Sequence, residues 1–84
     1  MPRIYEEGAF RVYIYLPPRE HEPPHVHVVE CTEGGEVLVK LGGDRAPPSL
    51  WQNHHMKTLH AREALRVVTE HIEKFLEEWK RLHG

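Results

Sequence analysis

Residues 10–16, Phe-Arg-Val-Tyr-Ile-Tyr-Leu, place Phe10, Val12, Ile14 and Leu16 on one face and Arg11, Tyr13 and Tyr15 on the other. Period two in β-branched and aromatic residues predicts a strand. Pro17-Pro18 ends it, because proline donates no ladder hydrogen bond. Residues 19–22 are all charged or titratable, which predicts a solvated turn. Pro23-Pro24 restarts the chain in an extended conformation. A second strand follows over about 25–31, with Val26 and Val28 facing one way and His25, His27, Val29 and Cys31 the other. Glu33-Gly34-Gly35 reads as a hairpin turn. The third strand, 36–41, sets Val37, Val39 and Leu41 against Glu36, Leu38 and Lys40.

The period then changes. Apolar residues at 61, 65, 68, 72, 75, 79 and 82 recur at intervals of three and four, which predicts one amphipathic helix over about 61–82. Thr58 or His60 stands where a cap would, with Glu63 as the matching acid of a capping box. Glu70–Lys74 and Glu77–Arg81 are favourable pairs on its wet face. Residues 42–59 carry no clear period. Trp51 is expected there as a core plug, and either a short fourth strand near 54–58 or a helical turn would break so long a connection. The fold class expected is α+β: a three-stranded antiparallel sheet packed by one long C-terminal helix, β-β-β-α, in a single domain over residues 1–84.

Composition narrows the picture. A chain of 84 residues buries only about 60–65% of its unfolded surface, so a partner or a second copy would add useful buried area. The formal net charge of −2 does not favour a nucleic-acid binder. Eight histidines would turn the chain cationic below about pH 6.5. A lone cysteine, Cys31, excludes an internal disulfide and a cysteine-rich zinc site. Its expected role is a small buried thiol, with metal ligation as the alternative. No apolar run approaches the ~20 residues that span a bilayer, and the first residues carry no signal-peptide stretch. A cytoplasmic protein is the expectation.

The segment Tyr13-Ile14-Tyr15 through His21-Glu22-Pro23-Pro24-His25-Val26-His27-Val28 resembles the bacterial family called domain of unknown function 4160. Members combine an aromatic-rich strand, an H-x-P-P-H-x-H segment, a hairpin and a C-terminal helix. The end of the chain, Trp79-Lys80-Arg81-Leu82-His83-Gly84, is also similar to that family. The resemblance implies a small protein partner, in a two-gene arrangement similar to toxin–antitoxin pairs. It implies no chemistry.

The residues themselves leave three readings open. His25 and His27, two apart on a strand, project from one face with Cα atoms about 6.5–7 Å apart. With His21 they could hold zinc or another transition metal, since three imidazoles and a water form a known zinc set. Glu20, Glu22, His54 or His55 would complete it. In the second reading His25 or His27 is the acid or base of a ribonuclease-like toxin. Tyr13 and Tyr15 would then stack on bases while Arg11 and Lys40 meet phosphate. In the third reading the same face, Arg11, Tyr13, Tyr15 and Lys40, binds a protein partner or a second copy, with exposed aromatic residues as anchors. An open sheet edge would serve the same end. The interaction protein is the preferred reading. No phosphate loop, activated nucleophile or paired-carboxylate motif is present.

Overall fold

A computed structural model describes residues 3–17, 22–43 and 46–84. Among the described residues there are five strands: β1 (Arg3–Glu7), β2 (Phe10–Tyr13), β3 (His25–Glu30), β4 (Glu36–Lys40) and β5 (Ser49–His54). Two helices follow, α1 (Thr58–Glu70) and α2 (Ile72–His83). The strands form one antiparallel meander in the order β1-β2-β3-β4-β5. The α+β class and the antiparallel sheet stand as expected from the sequence. The strand count and the helix count do not.

The two added strands are the sheet's edges, where alternation is weakest. β1 pairs with β2 across the two-residue loop Gly8-Ala9. Gly8 sits at φ 57°, a conformation that glycine adopts without steric cost. A register irregularity between Arg3 and Tyr5 breaks the period that would have marked the strand. β5 occupies 49–54 rather than 54–58 and also carries an irregularity, opposite Leu38 and Val39. All six of its residues are exposed, so no buried face imposes a period on it.

The central strands behave as their alternation predicts. Val12, Ile14, Val26, Val28, Val37, Val39 and Leu41 are fully buried and join Met56, Ala61, Ala64, Val68, Phe75 and Trp79 in one core cluster. Ile14 belongs to this core although β2 ends at Tyr13.

The single predicted helix is interrupted at His71. The His71 N–H turns back to the Val68 carbonyl at 3.2 Å, and the Phe75 N–H bonds the His71 carbonyl at 3.2 Å. Thr69 Oγ1 donates to the Leu65 carbonyl at 2.8 Å, a competing bond of the kind that bends helices. The start of α1 has Lys57 at its N-cap and no side-chain cap bond, so the expected capping box does not form. On the wet face Arg66 pairs with Glu70 at 2.7 Å and Glu63 at 3.1 Å, and Arg81 pairs with Glu78. Glu70 and Arg81 are thus paired, but with Arg66 and Glu78 rather than with the expected Lys74 and Glu77.

Candidate functional site

The sheet register gathers the histidines. His25 stands opposite Lys40, and Lys40 opposite Ser49. His27 stands opposite Tyr13 on one side and Leu38 on the other. The face that alternation assigned to solvent is covered here. His25 retains 3% of its accessible surface and His27 9%. Three elements close around them. The Trp51 ring from β5 meets His25 edge-on at 5.1 Å, and Trp79 from α2 lies 5.4 Å from it. Tyr15, past the end of β2, meets His27 edge-on at 4.5 Å. His83 stacks on Trp79 at 3.7 Å, and its Nε2 donates to the Tyr15 carbonyl at 2.8 Å. The chain's last turn is thereby tied to the strand end that supplies Tyr15.

Both imidazoles are oriented by their Nδ1. His25 Nδ1 donates to the Pro23 carbonyl at 2.8 Å. His27 Nδ1 donates to Glu36 Oε2 at 2.7 Å. Bonds of this kind select the tautomer and hold the ring plane. The two rings lie 5.3 Å apart. Lys40 places its Nζ 5.1 Å from the Trp51 ring centre, a cation–π contact that also holds the indole. Trp51 is therefore no core plug. It is 39% exposed and is held in place by His25 and Lys40.

Of the residues singled out from the sequence, His25, His27, Tyr15 and Lys40 converge, and Tyr13 is His27's register neighbour. Arg11 stands farther along β2, opposite Val29, paired with Glu6 at 2.9 Å and in contact with Cys31 Sγ. Cys31 is exposed, which corrects the expectation of a buried thiol. That contact, with Glu6 behind it, raises the Arg11 pKa further. His21 lies outside the described residues. Among the described residues no three of His, Cys, Asp and Glu converge to hold a metal ion. The sequence reading missed Glu36, Trp51 and His83 as members of this cluster. A signal for Glu36 was available, since it lies on the histidine face of the neighbouring strand. None existed for Trp51, whose strand shows no period.

Two further polar clusters serve as anchors. Glu30, 3% exposed, accepts the Thr32 hydroxyl at 2.6 Å, the Thr32 N–H, and the Glu33 N–H at 2.9 Å. His60 Nδ1 from α1 is buried 3.2 Å from Glu30 Oε2, without the alignment of a hydrogen bond. The Thr32 hydroxyl, then the two backbone N–H groups and His60, hold the Glu30 carboxyl down at about 2 against the opposing effect of burial. At the helix bend, the Tyr5 hydroxyl donates to Glu7 Oε1 at 2.9 Å and lies 3.0 Å from His71 Nε2. The bond to the Glu7 carboxylate raises the Tyr5 pKa, and the same bond, helped by Arg66, lowers that of Glu7.

The segment that carries these histidines lies within a family match. The model of a domain of unknown function, DUF4160, covers residues 9–80. The chain belongs to the DUF4160 family. Its H-x-P-P-H-x-H segment, residues 21–27, falls inside the matched region, as do β5 and the Trp79 that packs on His25. No curated protein and no solved structure matches the chain. No helix among the described residues is long and apolar enough to cross a membrane.

Proposed function

We propose that this DUF4160 chain is an interaction protein that engages another polypeptide through the edge strand β5, with Trp51 as anchor. One observation carries the reading. β5 is an edge strand of six residues, Ser-Leu-Trp-Gln-Asn-His, all exposed and none of them Asp, Glu, Lys or Arg. Edge strands that must stay unpaired are normally blunted by charge, proline or a bulge; β5 has the irregularity at Trp51 but neither charge nor proline within it. The other edge follows that rule: β1 carries Arg3, Glu6 and Glu7, and ion pairs engage Glu6 and Glu7. Trp51 adds a rigid aromatic side chain of the type that dominates interface energetics. On this reading the buried histidines position the anchor. The companion is either a second copy or a second small protein, such as the other half of a toxin–antitoxin-like pair.

The test is untagged protein purified gently from the expressing cell and weighed by native mass spectrometry. Wild type is expected to carry a stoichiometric companion. Trp51→Ala and Leu50→Lys are expected to lose it while keeping the wild-type circular dichroism spectrum. A companion retained by both variants overturns the reading.

A second reading has its own observation, the two Nδ1 anchors. A pair of oriented imidazoles can act as general acid and base, which would make the chain a histidine-dependent ribonuclease-like toxin. Purified protein would then cleave RNA with a bell-shaped pH profile, and His27→Ala would abolish cleavage. Wild type without cleavage sinks it. Zinc or another transition metal at His25 and His27 would require His21 as third ligand. Metal analysis of wild type against the His25→Ala/His27→Ala double variant decides that case.

A further inference from the structure

We infer that the occupant of β5 is β5 of a second copy, paired antiparallel about a two-fold axis that passes between Trp51 and Gln52. This deepens the interaction reading and rests on it.

Ser49, Gln52 and His54 stand opposite Lys40, Leu38 and Glu36, whose own β3 neighbours include His25 and His27. They lie on the histidine face. Leu50 and Asn53 stand opposite Val39 and Val37, both fully buried, and lie on the core face. Trp51 is the residue left over at the irregularity. Its ring meets His25 and Lys40, so it too belongs to the histidine face. From Ser49 to His54 the order is histidine, core, histidine, histidine, core, histidine. This order reads the same in both directions about the midpoint between Trp51 and Gln52.

Directly opposed residues in an antiparallel pair share a face, and a two-fold interface must be self-complementary. A regularly alternating strand cannot satisfy both about a midpoint between two residues, because adjacent residues point to opposite faces. The extra residue in β5 removes that conflict. Pairing about this axis sets Trp51 against the partner's Gln52, Leu50 against the partner's Asn53, and Ser49 against the partner's His54. Every pair matches in face.

Charge agrees. β5 brings no like charges together, which would oppose self-pairing. The nearest charges on its neighbour β4 are Lys40 beside Ser49 and Glu36 beside His54, at opposite ends. The two-fold aligns the Lys40 row of one copy with the partner's Glu36, three strand spacings or about 14 Å away. Unlike charges face each other across both ends of the joint. Pairing would also cover Leu50, which is 41% exposed.

The experiment uses the untagged full chain, with size-exclusion light scattering from micromolar concentrations up to about 1 mM. A half-labelled mixture for isotope-filtered NOE spectroscopy accompanies it. Twice the 9.9 kDa chain mass, with intermolecular NOEs between Trp51 and the partner's Gln52, is the expected result. Gln52→Lys, which sets two like charges beside the axis, is expected to return the monomer mass with an unchanged circular dichroism spectrum. A wild type that is monomeric throughout overturns self-pairing and leaves β5 open to a different companion. A dimer that persists in Gln52→Lys and Leu50→Lys, with NOEs from other residues, overturns self-pairing and the β5 reading together.

Discussion

Glu30 shows how one side chain can hold a turn and a helix at once. Its carboxylate is buried, yet it accepts from Thr32 and Glu33 and lies beside His60 of α1. Because its folded pKa lies at about 2, below the ordinary value, the ionised form is favoured by folding. Its stabilisation is complete above the ordinary carboxylate range and is lost as pH falls through about 4.5 toward 2. Urea midpoints should therefore drop across that window in wild type and drop less in Glu30→Gln. Gly35 is a second such residue. At φ 102° it lies in the left-handed region, and a Cβ there would stand 2.5 Å from Met56 Cα and 2.7 Å from the His55 carbonyl. Gly35→Ala is expected to cost more than about 1 kcal/mol, read by chemical denaturation. In the core, Phe75 is fully buried, and Phe75→Ala should cost about 3–5 kcal/mol by the same measurement. The burial of Val12, Val26, Val28, Val37 and Val39 was legible from alternation alone. The burial of His25 and His27 was not, because period two assigns a residue to a face and does not say what covers that face.

At the scale of elements, the edges account for the differences between pattern and fold. β1 is short and irregular, and it is fastened to the helix bend by Tyr5 through Glu7 and His71. Tyr5→Phe removes both contacts while keeping the ring against Phe75. Faster amide exchange confined to Arg3–Glu7, with β3 and β4 unchanged, is the expected outcome by hydrogen exchange. If exchange rose across the whole sheet, β1 would be an integral part of the cooperative unit. At the interruption the His71 N–H turns to the Val68 carbonyl, two residues after the Thr69 hydroxyl bonds the Leu65 carbonyl. The sequence pattern gave no hint of it, since the apolar stripe continues unbroken from Leu65 through Trp79. The candidate site shows the same split. The H-x-P-P-H-x-H segment marked where two oriented imidazoles would lie. Trp51, Trp79 and His83 reach them only because a separate edge strand and the last helical turn close over the start of β3.

For the molecule as a whole, the thin core and the uncharged edge point the same way. A chain this small gains stability from any surface it buries against a companion. If β5 self-pairs, the thermal midpoint should rise with protein concentration, and Gln52→Lys should remove that dependence. A midpoint independent of concentration in wild type would contradict the pairing. The amino-acid order alone settled the α+β class, the faces of the three central strands, the apolar stripe of the C-terminal helical region and the segment that brings two histidines together. Each of these rests on local periodicity, which short-range sterics and burial on one side enforce. The tertiary structure decided the rest: the two edge strands, the helix bend, the covering of the histidines and the exposure of Trp51. Edges have no second neighbour to impose a period, and what lies above a face depends on residues far away in the chain. No local pattern carries that information.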